Sequence, residues 1–161
     1  MHLKNLLLSA SVAIFAILLF LLSLWRPERQ VTLHQQHLLA ACSDRNWTKA
    51  ADFFAATYKD RWGHDKEGAL HDARIALAQF FTLQISGLAP QLNLRGTSAT
   101  VTEKIVLSGQ GDEFAQEATR RVNQLGSPFV FTWQRQSWKP WDWKLVRTDN
   151  AALEIGSLED F

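Results

Sequence analysis

The stretch YKDRWGHD, Tyr58 to Asp65, packs a phenol, two carboxylates and an imidazole into one short segment. Tyr58, Asp60 and His64 at a pocket mouth could perform acid–base dehydration or enolisation. The same residues also have a structural use. Asp60 can bond a turn, His64 can open a helix, and Trp62 can pack on a sheet. A second constellation is Glu103 with Arg135. Both fall on the apolar-phase side of their strands. A carboxylate aimed into an apolar concavity, its pKa moved by burial and by a neighbouring arginine, could serve as general base or orient a ligand. The alternative is an ion pair between adjacent strands, or a strand end where the alternation leads outward.

Other chemistries find less support. His34 and His37 form H-x-x-H, and His71 lies seven residues after His64, but no fixed third ligand accompanies either pair, so no metal site or cofactor is expected. Cys42 is the single cysteine; no internal disulfide can form, and a small buried apolar side chain is its default role. No G-x-S-x-G, P-loop or dinucleotide fingerprint occurs. Three of the seven tryptophans lie in SWKPWDWKLVRTD, residues 137–149. Phe131, Trp133 and Arg135 share one side of a strand, and Trp143 shares a side with Leu145 in the next. They can stack a planar ligand, or fill the space between a sheet and its helices. Trp138 and Trp141 lie at the connecting loop. They are expected to be exposed and available to a partner or a membrane surface.

The elements that position these residues follow from periodicity. Leu38, Ala41 and Cys42 share the face of a first helix. Asn46 can cap a second, in which Trp47, Ala50, Ala51 and Phe54 recur at helical spacing, and Gly63 marks the break before a third. The third starts at Asp65 or His64 and carries Leu70, Ala73, Leu77, Phe80 and Phe81. After Thr82 the period becomes two, and the phase shift at Gly87 reads as a bulge or bend. In residues 98–109 the odd positions Ala99, Val101, Glu103, Ile105 and Leu107 share one side. A helix over 112–125 is expected between Asp112 and Gly126. Proline is favoured at the second position of a turn, so KPWD places the last hairpin loop across about Trp138 to Trp141.

From Leu6 to Trp25 no side chain is charged. Twenty residues at about 1.5 Å each span about 30 Å, the thickness of a bilayer's hydrocarbon core. The run exceeds the apolar core of a secretory signal, and it ends in WRPER with no small-x-small cleavage site. Residues 1–26 are therefore expected to be a transmembrane anchor, with membrane contact through 6–25. Residues 27–30 are expected as a linker, 31–155 as one α+β domain, and 156–161 as a tail. The chain carries 17 Lys+Arg and 16 Asp+Glu. With Lys4 set aside, the remainder is formally neutral and its signs are mixed, which excludes the basic face of a nucleic-acid domain. A short tail before a first apolar segment points to a single-pass protein of a bacterial inner membrane, with its C-terminal domain outside the cytoplasm.

Three helices followed by a bent antiparallel sheet of about four strands make an α+β plan. The element order, the YKDRWG break and the ending FTWQRQSWKPWDWKLVRT resemble the nuclear transport factor 2-like (NTF2-like) superfamily over residues 31–155. The resemblance implies a curved sheet wrapped around helices, with a conical pocket between them. Its members include isomerases, dehydratases, ligand-binding domains and non-catalytic assembly modules, some membrane-anchored. For this chain it implies a binding or assembly module for a small apolar ligand or a protein partner, or else an isomerase or dehydratase working on a hydrophobic substrate. Homodimers are common in that superfamily. The pocket carboxylate or His–Asp pair of its enzymatic branches does not map onto this sequence, and the helix at 112–125 is an addition to the pattern.

Overall fold

The computed structural model describes residues 12–21 and 25–154. Residues 12–21 are helical, and each of the ten is exposed. Among the described residues no helix is long and apolar enough to cross a membrane. Most of the remaining expected span, residue 155 and the expected tail at 156–161 lie outside the described residues.

Helix α1 runs Pro27–Ser43, so the expected linker at 27–30 is instead its first turn. Proline suits that position, where its missing N–H has no helical partner to lose. The face Val31, Gln35, Leu38 and Ala41 is buried. The short α2, Trp47–Ala51, is capped by Asn46, whose side chain accepts from Lys49 N. It stops well short of Phe54, for a reason that lies in the sheet. Helix α3, Lys66–Ala78, starts at Asp65, which accepts from Gly68 N. Phe80 and Phe81, expected on the α3 stripe, belong to a strand. Neighbouring strand residues point to opposite faces, so Phe80 is buried and Phe81 exposed.

The sheet has four antiparallel strands in the order β1-β2-β3-β4: Phe80–Arg95, Ser98–Gly111, Phe129–Arg135 and Trp143–Asn150. In β2 the residues Ala99, Val101, Glu103, Ile105 and Leu107 are all buried, as the alternation requires. They meet α1 together with Phe131, Trp133, Trp143 and Leu145. Pairing of β1 with β2 runs unbroken from Thr82 past Gly87↔Ile105 and breaks between Leu88 and Gln91, where Ala89 takes a φ of 51°. The bend therefore sits beyond Gly87.

Strand β3 pairs with β2 only as far as Glu103↔Phe129. Beyond that point β2 stays paired with β1, and on its other side α4 (Glu113–Gln124), the expected insertion, takes over from β3. Asn123 on α4 accepts from Leu107 N and donates to Leu107 O, both at 2.8 Å, substituting for a strand. Asp112 caps this helix by accepting from Ala115 N. In the β3–β4 connection, Asp142 N donates to Lys139 O, which puts Pro140 at the second turn position as the sequence requires. Truncating Asn123 to alanine would leave both backbone groups of Leu107 without a protein partner. The expected loss is about 1–3 kcal/mol of stability, to be read as a lower urea midpoint at an unchanged slope.

Candidate functional site

Strand β4 is the last in the sheet order, so its outer edge has no strand beside it. The segment after α2 covers that edge. Leu145 N donates to Phe53 O, Ala55 N to Leu145 O, Lys59 N to Val146 O, and Arg61 N to Thr148 O. These bonds compete with further helical turns, which explains the early end of α2. They also lay Tyr58, Asp60 and Trp62 along one end of the sheet.

There a cleft of about 680 Å³ opens between α3, α4 and this segment. Its lining is mainly apolar: Phe54 and Trp62 from the segment, Ala69, Ala73 and Ala76 from α3, Phe114, Ala118 and Val122 from α4, then Phe129 and Leu153. Tyr58, Asp60, His64 and Asp72 supply polar groups, and Glu113, Glu117, Arg121 and Glu154 complete the lining. Asn150 fixes the Leu153 wall. Its side-chain oxygen accepts from Ala152 N and Leu153 N, and its amide donates to Ser127 O. Trp62 Nε1 donates to Leu153 O at 2.9 Å.

The expected trio Tyr58, Asp60 and His64 thus meets at one site. Asp60 is buried and doubly engaged: Oδ1 accepts from His64 N and Oδ2 from His64 Nδ1, both at 2.8 Å. Asp60 N in turn donates to His64 O. Gly63, at φ 98°, allows the chain to close this turn. With Nδ1 held by Asp60, His64 presents Nε2 toward Asp72 Oδ2, 3.4 Å away. The result is an imidazole bracketed by two carboxylates, an arrangement able to hold or pass a proton. Tyr58 is buried with its ring 4.7 Å from Phe54, and burial pushes its hydroxyl up to about 12, with a hydrogen bond to Thr148 opposing the rise. A phenol so placed stays protonated near neutral pH.

Glu103 lies elsewhere. It is buried on the side of the sheet that faces α1, as its phase demands, but it does not line the cleft and has no ion pair with Arg135 among the described residues. Glu103 pairs in register with Phe129, whereas Arg135 sits at the far end of β3 opposite Trp143. The true partner of Glu103 is Gln35 on α1. Gln35 Nε2 donates to Glu103 Oε1 at 2.6 Å, and Trp133 Nε1 donates to Gln35 Oε1 at 3.0 Å. All three side chains are buried. A Cβ built on Gly87 would fall 1.9 Å from Glu103 Oε2, so Gly87 is the space the carboxylate occupies. His34 packs edge-on against Trp133 and Phe53, and burial lowers its pKa. Gln35 was legible in principle: it is a polar residue on the stripe Val31, Gln35, Leu38, Cys42, four then three then four residues apart.

The other expected ligand contacts, Phe131, Trp133 and Trp143, are core residues, and none of them lines the cleft. Arg135 does not reach it either; its Nε is buried with no hydrogen-bond partner among the described residues. Trp138 and Trp141 are 83% and 48% exposed, on the side expected for them. Burial raises the Cys42 thiol to about 11, which leaves it unreactive at neutral pH. Among the described residues no three His, Cys, Asp or Glu side chains gather as a metal site.

Solved structures share this architecture. A nuclear transport factor 2-like superfamily protein from Salmonella enterica superposes with a TM-score of 0.59 at 11% identity, over 84% of this chain and 97% of that one. A protein of Shewanella frigidimarina provisionally named a ketosteroid isomerase gives 0.56 at 13% identity, over 78% and 98%. Bd1075 of Bdellovibrio bacteriovorus gives 0.59 at 8% identity, and this chain spans only 41% of its length. No family model and no curated protein matches the sequence. The fold is that of the nuclear transport factor 2-like, or cystatin-like, superfamily: an α+β domain with a four-stranded antiparallel sheet.

The Glu103 environment fixes the sign of one pH dependence. Burial raises its carboxyl above the ordinary range, and the Gln35 hydrogen bond opposes that rise. A carboxyl raised by folding stabilises fully below its unfolded pKa, and that contribution is lost as pH rises through the folded value. The wild-type melting temperature should therefore fall more between about pH 5 and about pH 8 than that of Glu103→Gln. Parallel curves for the two proteins would show that Glu103 is not perturbed.

Proposed function

We propose that this chain is a membrane-anchored binding domain whose cleft between α3 and α4 takes a small apolar ligand without transforming it. The observation that carries the reading is the cleft itself: about 680 Å³ with a mainly apolar lining and a few fixed polar groups. Those proportions suit a small-molecule site, where apolar contact supplies affinity and a few polar groups set orientation. Trp133, Gln35 and Glu103 occupy the space between α1 and the sheet, so the ligand is assigned to the cleft. Asp60 is committed to the turn that shapes the wall, which fits a binding role. The anchor reading rests on the uncharged run Leu6–Trp25, with the domain outside the cytoplasm of a bacterial cell. Tethering would confine the domain to one surface and raise its local concentration there.

One observation favours a second reading, an acid–base isomerase or dehydratase. His64 lines the same cleft with Nδ1 fixed by Asp60. In that case the working group would be His64 Nε2, not Glu103.

The full chain in lipid nanodiscs should bind N-phenyl-1-naphthylamine, a neutral apolar fluorophore, above the background of empty discs. Ala73→Trp and Ala118→Trp place an indole in the cleft and should each weaken binding at least about tenfold, or ~1.4 kcal/mol, with circular dichroism melts confirming the fold. Equal binding by both folded variants would move the ligand elsewhere. In Asp60→Asn the binding reading expects a lower melting temperature and retained affinity.

A further inference from the structure

The β3–β4 hairpin ends beside the apolar segment. Gln136 N donates to Asp142 O, and Asp142 N to Lys139 O, so residues 136–142 form a closed, ordered tip. That tip turns two indoles outward: Trp138 is 83% exposed and Trp141 48%. The core does not need them, since Trp133 and Trp143 already fill the wall behind. Trp25, the last residue of the uncharged run, packs against Trp141 with ring centroids 6.3 Å apart and planes tilted by 53°. The described part of that run, residues 12–21, exposes large apolar side chains such as Phe15, Ile17 and Leu18. Arg26, Arg29 and Lys139 are exposed close in sequence to these indoles, and Glu28 and Asp142 offset two of the three charges. The indoles rather than net charge therefore distinguish this surface.

We infer that the hairpin tip is a second membrane contact. Trp138 and Trp141 enter the headgroup layer of the bilayer that holds residues 6–25. An indole favours that layer because its ring is apolar and its N–H needs a polar partner. Arg26 and Lys139 face the lipid phosphates. This inference rests on the anchor reading given above. Its consequence is a domain attached at two points, with its tilt fixed. The cleft, marked by Phe129 at the other end of β3, lies six residues along the strand from Arg135, roughly 20 Å at the strand rise per residue. The ligand mouth is thereby held away from the surface on which the tip rests.

The test reconstitutes the full chain into phosphatidylcholine vesicles whose acyl chains carry bromine near the headgroup, which quenches indoles on contact. The emission of Trp138 is the difference between wild type and Trp138→Phe; that of Trp25 is the difference between wild type and Trp25→Phe. Both differences should fall about twofold or more on brominated lipid, the behaviour of interfacial indoles. Quenching of Trp25 with none of Trp138 would overturn the inference while the anchor stands, leaving the tip to water or a protein. Quenching of neither would overturn the anchor reading, and this inference with it.

Discussion

Strand β4 ends the sheet, and one row of its backbone N–H and C=O groups faces away from β3. Unpaired groups at a partly buried edge are costly and invite pairing with other chains. The protein meets this constraint with residues 53–61, which bond to Leu145, Val146 and Thr148 along the strand. Much of the molecule follows from that solution. Helix α2 is cut to five residues. Tyr58 is carried into the core, Asp60 closes on His64, and Trp62 reaches the Leu153 carbonyl. The cleft wall is thus made from the device that protects the edge.

A second buried link fills the space between α1 and the sheet. Gln35 joins Glu103 on β2 to Trp133 on β3 and ties both to α1. Buried polar groups are tolerable when each finds a partner, and the three satisfy one another in sequence. Gly87 adds the room that the carboxylate needs. With the interior so filled, space for a guest remains at the end of the sheet, where β3 stops pairing with β2 and α4 takes its place. The added helix supplies one wall of the cleft.

The sequence carried the elements better than the site. Period-two alternation in β2 placed all five inward residues correctly, and the Asn46, Asp65 and Asp112 caps sit where short polar side chains precede helices. Pro140 located the hairpin turn. What failed was of another kind. Phase alone showed Glu103 pointing inward, but its partner came from a helix 68 residues away, and that depends on how α1 crosses the sheet. Arg135 shares the inward phase yet lies at the other end of β3, because register sets position along a strand and periodicity does not. Gly87 read as a bend because a missing side chain looks alike whether it frees the backbone or clears space. The YKDRWGHD cluster was visible as a group, and its local bonds could be foreseen. The cleft around it could not, since its walls include Phe129, Val122 and Leu153 from distant parts of the chain.

Guest molecules are proposed to enter the α3–α4 cleft and not the space between α1 and the sheet. Intermolecular nuclear Overhauser effects test it most directly, using the full chain in deuterated-lipid nanodiscs with bound N-phenyl-1-naphthylamine and labelled methyl groups. Contacts are expected from the fluorophore to the methyls of Ala73, Ala76, Ala118 and Val122. Contacts to Val101, Ile105 and Leu145 instead would place the guest in the core between α1 and the sheet and rule out the cleft.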